Sequence, residues 1–170
     1  MISSKYLILI AISGFIIAFD QVTKMYVHTH FLLGESVNVI PGYFDLTYVR
    51  NPGAAFGIFR EAQDNLRNLF FLTMPPIAVM FILFILRGLP NHDKVQITAL
   101  SLVCGGAIGN YIDRLRFRYV IDFLDVHIQR KYTWPAFNVA DSAIVVGITI
   151  LIGLMVLEWL EERKQTSASS

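Results

Sequence analysis

Several polar side chains lie between residues 104 and 142, where one very apolar segment ends and the next begins. They are Asn110, Asp113, Arg114, Asp122, Asn138 and Asp141. An ionisable group in hydrocarbon costs about 2.5–3.5 kcal/mol on insertion scales, so a chain that keeps several is expected to use them. The sequence therefore favours the hypothesis that Asp122 and Asp141 form a carboxylate pair for acid–base chemistry at a membrane surface.

The two aspartates of this hypothetical pair have different expected surroundings. Asp141 falls near the start of a predicted helix, where the helix dipole stabilises a carboxylate. Asp122 is flanked by apolar residues on both sides, and desolvation there should raise its pKa. If the two lie close together, one can act as a base on water while the other donates to a carbonyl oxygen. Which of them holds the shared proton stays open, and so does the simpler interpretation of a helix-capping Asp141 and a solvated Asp122.

The composition indicates that a bilayer surrounds the elements that must position this pair. The chain has 170 residues, of which 55% are hydrophobic and 16% charged, against about 25% charged in typical soluble domains. Apolar segments long enough to span a bilayer are predicted at residues 6–27, 68–86, 95–112 and 136–157. The first could also be a removable signal peptide, but no small-residue cleavage site precedes Asp20, so we expect a retained helix.

The two longer segments between these spans are predicted to lie outside the bilayer on the same side, opposite to the short loop at 87–94. Residues 29–67 contain two β-prone runs, 36–40 and 43–49, separated by a Pro-Gly turn and predicted to form a hairpin or part of a small sheet. Residues 114–135 are predicted to be a second outer loop. Phe56, Ile58 and Phe59 are of the type expected in a flap that contacts lipid or an apolar substrate. The predicted fold is a single α-helical membrane domain, residues 1–170, with four transmembrane helices and a small extramembrane sheet.

Polar and small residues within the spans add candidates for the wall of a site. Asp20 and Lys24 are four residues apart and can pair on one helix face. A simple ion pair at the membrane boundary explains them, and so does a polar site with Lys24 as the counter-charge. Gly105 and Gly109 have the spacing that lets helices approach closely.

Other chemistries have less support in the sequence. A net charge of +1 provides no basic surface for nucleic acid. Cys104 is the single cysteine, which excludes an intrachain disulfide. A hydrolase that pairs Ser13 or Ser142 with Lys24 is conceivable, but nothing in the spacing brings them together. His28, His30 and His127 could cluster, although no metal-binding spacing such as HExxH supports it.

Two further function classes remain as alternatives. A proton-coupled transporter could use Asp20, Asp113 and Asp141 as a relay, which requires carboxylates at mid-bilayer depth. A non-catalytic membrane scaffold would use its charges only for packing. Cleavage of a substrate, or its absence, separates both from a hydrolase.

Five segments in chain order make the sequence resemble the lipoprotein signal peptidase family, bacterial signal peptidase II. They are Asp-Gln-Val-Thr-Lys at 20–24, Asn-Pro-Gly-Ala-Ala-Phe-Gly at 51–57, Gly-Gly-Ala-Ile-Gly-Asn-Tyr-Ile-Asp-Arg at 105–114, Val-Ile-Asp-Phe at 120–123 and Phe-Asn-Val-Ala-Asp-Ser at 137–142. Each segment alone is weak, whereas five in order on a four-span chain are specific. Pro52 departs from the family pattern, and it removes a backbone donor from its turn.

The resemblance implies an aspartic endopeptidase of the bacterial inner membrane with its active site facing the periplasm. The implied substrates are prolipoproteins whose cysteine carries a diacylglyceryl group, cut just before that cysteine. Asp122 and Asp141 would be the catalytic dyad, with Asp113 as a reserve candidate for a catalytic acid. The residues expected to bind substrate or support the dyad are Asp20, Lys24, Asn51, Gly53, Asn110, Asp113, Arg114, Asn138 and Ala140.

The resemblance also sets expectations about partners and cofactors. No metal, nucleotide or other cofactor is expected, and the partners are the lipidated substrates and membrane lipids, with the enzyme as a monomer. The orientation conflicts with the charge pattern, because the arginine-rich outer loops would be placed in the cytoplasm by the positive-inside rule.

Overall fold

Four long helices form the body of the protein in a computed structural model that describes residues 3–53 and 64–168. They are α1 (Ser4–His30), α2 (Asp64–Gly88), α3 (Lys94–Phe117) and α4 (Val139–Ala168). Each contains a stretch long and apolar enough to cross a membrane, with mean hydropathies from 1.4 to 2.5. The predicted four-helix membrane fold is confirmed over the described residues.

Helix α3 is the centre of the bundle and contacts each of the other three helices. About half of its most apolar stretch is buried, against 11–17% in the other helices. Glycines allow this packing: a Cβ on Gly105 would lie 3.0 Å from the Ser13 Cα of α1, and one on Gly106 would lie 2.4 Å from the Ala140 carbonyl oxygen of α4. Small residues therefore bring the backbones of α1 and α4 against α3.

An antiparallel sheet with strand order β1-β2-β3-β4 lies at one end of the bundle. Its strands are β1 (Ser36–Ile40), β2 (Phe44–Asn51), β3 (Val120–Ile128) and β4 (Tyr132–Thr133). The predicted β1–β2 hairpin is present, and the outer segment 114–135 contributes two further strands that the sequence analysis did not identify, β3 and β4. The first four residues of β3 are all buried, so they lack the apolar–polar alternation that identifies a strand with one solvent-facing side.

The start of α4 differs from the predicted span because the preceding residues pair with the sheet. Phe137 exchanges backbone hydrogen bonds with Leu124 of β3, at 2.8 and 3.0 Å. The helix therefore begins at Val139 instead of 136. This pairing places the first turn of α4 beside β3.

Two apolar clusters hold these elements together. One lies within the bundle, around Leu9, Leu86, Ile97, Leu100 and Cys104. The other lies between the bundle and the sheet and consists of Val27, Tyr48, Ile121 and Phe123 with their neighbours. The polar residues singled out above lie close to this second cluster, where β3 crosses the end of α3.

Candidate active site

A single amide side chain connects the two aspartates of the hypothetical pair. The Nδ2 of Asn138 donates to Asp122 Oδ1 at 2.7 Å, and its Oδ1 accepts from the Asp141 backbone N–H at 2.9 Å. Asn138 follows directly after the Phe137–Leu124 bridge, which is why it reaches β3. The fold thus brings Asp122 of β3 and Asp141 of α4 to one site.

Asp122 is almost completely buried, with 1% of its surface exposed. It accepts a second hydrogen bond, from Asn51 Nδ2 at 2.9 Å. Burial, and then the negative charge of Asp141, raise the pKa of Asp122 to about 7, although the hydrogen bonds from Asn51 and Asn138 oppose this rise. The predicted upward shift is confirmed, and the desolvation expected from the apolar neighbours is its largest cause.

Asp141 is half-buried in the first turn of α4. Its Oδ1 accepts from Asn110 Nδ2 at 2.7 Å, and its Oδ2 accepts from the Asn138 backbone N–H at 3.3 Å. Asn138 and Asp141 therefore cap the helix reciprocally, which fixes the Asp141 rotamer.

A second polar cluster, centred on Lys24, lies next to the pair and is fully buried. The Lys24 ammonium contacts Asp20 Oδ2 at 2.8 Å and Asp113 Oδ2 at 3.1 Å, and it donates to Asn110 Oδ1 at 2.8 Å. Because an ammonium can only donate, the oxygen of Asn110 must face Lys24 and its NH2 group must face Asp141. Lys24 thereby sets the orientation of an amide that binds the dyad candidate.

The two carboxylates of this Lys24 cluster also bind backbone at matching positions. Asp20 Oδ1 accepts from the Ala140 N–H at 2.9 Å, and Asp113 Oδ2 accepts from the Ile121 N–H at 3.1 Å. Ala140 directly precedes Asp141, and Ile121 directly precedes Asp122. Each supporting carboxylate therefore anchors the residue before one of the two aspartates, and Asp113 has the contacts of a positioning residue instead of those of a free acid.

One member of the Lys24 cluster was missed by the sequence analysis. Gln21 Nε2 donates to Asp113 Oδ1 at 2.9 Å and lies 3.2 Å from the Gly109 carbonyl oxygen. The available signal was its place beside Asp20 in the first matching segment, as a polar residue in an otherwise apolar helix.

The rim of the site is built by the turn after β2 and by the end of α3. Asn51 Oδ1 accepts from the Gly53 N–H at 2.9 Å, so the turn does not require the donor that Pro52 lacks. Gly53 has a φ of 101°, and a Cβ there would lie 2.1 Å from the Phe71 ring. Arg114 lies over the same ring, 4.8 Å from its centroid, and donates to the Asn110 carbonyl oxygen at 3.2 Å.

The alternative catalytic groups are not assembled in the part of the chain that the structure describes. Ser13 and Ser142 donate to backbone carbonyl oxygens, while Lys24 contacts carboxylates and an amide. His28 contacts Tyr48 at 2.6 Å, whereas His127 lies against Asp45, so these two histidines have separate partners. The expected flap residues Phe56, Ile58 and Phe59 lie outside the described residues.

Known proteins are similar to this chain in both sequence and fold. The sequence model of the signal peptidase (SPase) II family matches residues 12–157. A lipoprotein signal peptidase of Syntrophus aciditrophicus is 48% identical over 96% of this chain and 99% of its own length. One from Syntrophotalea carbinolica is 47% identical over 88% of this chain and 91% of its own.

Solved structures share the fold of this chain. Two structures described as bacterial membrane enzymes superpose with TM-scores of 0.78 and 0.77 at 32% and 34% identity. They cover 88% and 86% of this chain, and 88% and 91% of their own. Sequence and fold thus agree, and the chain belongs to the signal peptidase II family of bacterial membrane aspartic endopeptidases.

Proposed function

We propose that Asp122 and Asp141 are the catalytic dyad with which this enzyme removes signal peptides from diacylglyceryl-modified prolipoproteins, cutting before the lipidated cysteine. The observation that carries the assignment is the Asn138 amide, which contacts both Asp122 and Asp141. The names of the relatives support the substrate class. Asn110, Asn51 and Arg114 complete the polar surface around the pair.

The geometry supports different roles for Asp122 and Asp141 in the reaction. Asp122, with its raised pKa, holds the shared proton at neutral pH, and Asp141 is the ionised partner. Asp141 takes a proton from a water molecule, whose oxygen attacks the scissile carbonyl carbon while Asp122 donates its proton to the carbonyl oxygen. Collapse of the tetrahedral intermediate then breaks the C–N bond: one of its hydroxyl groups returns a proton to Asp122, and the proton on Asp141 passes to the departing amine.

The position of the dyad suits a substrate that is anchored in lipid. Asp141 lies in the first turn of a spanning helix, and Asp122 lies in a strand outside the spans. The scissile bond can therefore lie at the membrane rim while the acyl chains stay in the bilayer. We place the site at the periplasmic face of the inner membrane and propose that the enzyme works as a monomer in contact with lipid. A mid-bilayer proton relay is less consistent with carboxylates at helix ends.

Cleavage of a defined substrate tests the proposal. A lipidated precursor is incubated with the wild type, Asp122→Asn and Asp141→Asn, and mass spectrometry identifies the bond that is cut. We expect each variant to lose at least about 10²–10⁴-fold in rate, the usual contribution of a general acid or base, while Glu161→Gln on the exposed end of α4 keeps full activity.

Two results would contradict the proposal in different ways. Activity that survives in either aspartate variant removes the dyad assignment but leaves the peptidase function. A folded wild type that leaves the lipidated precursor intact removes the proposed substrate class.

A further inference from the structure

Three potential metal ligands meet on the sheet at a place that the proposed mechanism does not use. Asp45 of β2 lies directly opposite Asp125 of β3 in the strand register, and His127 is two residues further along β3, on the same face as Asp125. One ligand atom from each side chain lies within 4.8 Å of the others. We call this group the sheet triad.

The sheet triad lies apart from the dyad. Asp122 precedes Asp125 by three residues, so strand alternation directs the two side chains to opposite faces of β3. Asp122 also lies opposite Val49, beyond an irregularity in the pairing between Leu46 and Val49. An ion bound by the triad would therefore join β2 to β3 without touching the reacting atoms.

Two side chains of the sheet triad, Asp125 and His127, have polar atoms that lack a hydrogen bond. Like charges directly opposite each other on neighbouring strands are destabilising, and the side chain of Asp125 makes no hydrogen bond or ion pair in the described part of the chain. The side chain of His127 is 1% exposed and its Nε2 lies 3.3 Å from Asp45 Oδ2, yet this nitrogen forms no hydrogen bond with any described residue. A buried nitrogen thus faces the acidic pair without a well-aligned hydrogen bond.

Other groups around Asp45 leave the site negatively charged. Asn38 Nδ2 donates to Asp45 Oδ1 at 2.6 Å, and the Arg130 guanidinium binds Oδ2 from a side chain that is 63% exposed. With a neutral imidazole, the two carboxylates and this one guanidinium sum to −1. A solvent-exposed guanidinium can move away when a cation of higher charge enters.

We infer that the sheet triad binds a divalent transition-metal ion of the zinc type. Imidazole nitrogen and carboxylate oxygen are both ligands of Zn²⁺, which bonds to them at about 2.0–2.2 Å, and three protein ligands leave a fourth position for water. Tetrahedral ligands at such bond lengths are roughly 3.4 Å apart, close to the 3.3 Å between His127 Nε2 and Asp45 Oδ2.

The second nitrogen of His127 is compatible with this role. The Arg130 backbone N–H lies 3.4 Å from His127 Nδ1, beyond the usual range of 2.7–3.2 Å for a hydrogen bond. The tautomer with its proton on Nδ1, which metal binding through Nε2 requires, therefore sacrifices only a weak contact.

Zinc titration of the detergent-solubilised full-length chain tests the inference. Protein stripped with a chelator competes with a chromophoric chelator for Zn²⁺. We expect one ion per wild-type chain and at least about tenfold weaker binding in His127→Asn and Asp125→Asn, since even outer-shell changes cost that much. His92→Asn, in the exposed loop between α2 and α3, should bind zinc as the wild type does.

Arg130→Gln distinguishes a metal site from a structural ion pair. Removing the competing guanidinium should tighten zinc binding, and zinc should raise the melting temperature of the wild type but not of His127→Asn. Melting without zinc shows whether each variant is folded, and Asp125→Asn removes no observed contact. Equal affinity in the wild type and in folded His127→Asn or Asp125→Asn, or no tightening in Arg130→Gln, would overturn the inference.

Discussion

The Lys24 cluster and the Asp122–Asp141 pair are neighbouring sites built from similar side chains, yet their carboxylates have different donors. Asp20 and Asp113 share an ammonium and bind backbone N–H groups. Asp122 accepts from two neutral amides, and Asp141 accepts from a third amide and a backbone N–H. The ammonium thus contacts one pair of carboxylates and not the other.

This difference determines which carboxylates can exchange protons. A carboxylate whose oxygens are occupied by an ammonium and by backbone N–H donors has little room left for water or substrate, so it serves as an anchor. A pair that neutral amides hold close together cannot easily carry two negative charges, and one member keeps a proton. The Lys24 cluster therefore provides rigidity, whereas the Asp122–Asp141 pair is suited to the acid–base chemistry proposed for it, and Asn110 connects the two.

The largest expected loss of stability and activity comes from replacing Lys24, because this removes the ammonium shared by Asp20 and Asp113. Lys24→Met leaves two buried carboxylates without their counter-ion, and breaking a buried ion pair in this way typically costs about 3–5 kcal/mol. We expect a large loss of stability in thermal melts together with loss of cleavage, whereas Asp141→Asn should lose cleavage alone.

Lys164→Met, on the exposed end of α4, is the matched control and should behave as the wild type. A Lys24→Met protein with the stability of the wild type would show that Asp20 and Asp113 do not depend on the ammonium.

An intermediate loss of stability and activity is expected when Gly109 of α3, which packs against Asp20 of the Lys24 cluster, is replaced by alanine. A Cβ on Gly109 would lie 2.7 Å from Asp20 Oδ2, so Gly109→Ala must push this carboxylate away from Ala140. Overpacking of this kind costs about 1–3 kcal/mol, and the turnover number should fall as Asp141 loses its anchor.

Gly14→Ala provides the control for the glycine variant. Nothing lies within 4 Å of a Cβ at this helical position, so alanine should be neutral or stabilise the helix by roughly 0.5–1 kcal/mol. Thermal melts and cleavage rates of both variants make the comparison, and equal behaviour of the two would contradict the close contact at Gly109.

The smallest expected effect is a shift in pH dependence. The proposed mechanism requires the proton on Asp122, so it predicts that the rate falls as the pH rises through about 7, the pKa of Asp122. The hydrogen bond from Asn51 lowers the pKa of Asp122, and Asn51→Ala removes it. The alkaline limb of the pH–rate profile should therefore move upward, by less than about one pH unit for one neutral hydrogen bond.

Rates measured from pH 5 to 9 test this shift, with Asn91→Ala in the exposed α2–α3 loop as the control. A limb that moves to lower pH in Asn51→Ala would contradict the proposed protonation of Asp122.

Much of the architecture could be predicted because its signals are local. Long apolar runs identify the four helices, and the Pro-Gly turn between β-prone runs identifies the first hairpin. The strand β3 could not be recognised in the same way, because its buried first half shows no alternation. That strand carries Asp122, so the sequence placed this aspartate in a loop.

The candidate site was predicted as a set of residues but not as a set of contacts. Aspartates and asparagines in apolar surroundings stand out in a sequence. Backbone donors do not, so the bonds from Ala140 to Asp20 and from Ile121 to Asp113 had no visible signal. The same limit applies to Asp45 and His127, which lie 82 positions apart in the printed sequence and meet only through the β2–β3 pairing.

The bond between Asp20 and the Ala140 N–H has a consequence for biosynthesis. Asp20 is made early, but its acceptor role is fulfilled only after residue 140 has been translated and the last helix has entered the membrane. A chain still attached to the ribosome with only three helices inserted would also lack Asp141. The enzyme should therefore be inert throughout its own insertion and gain activity in one step, when its last helix docks.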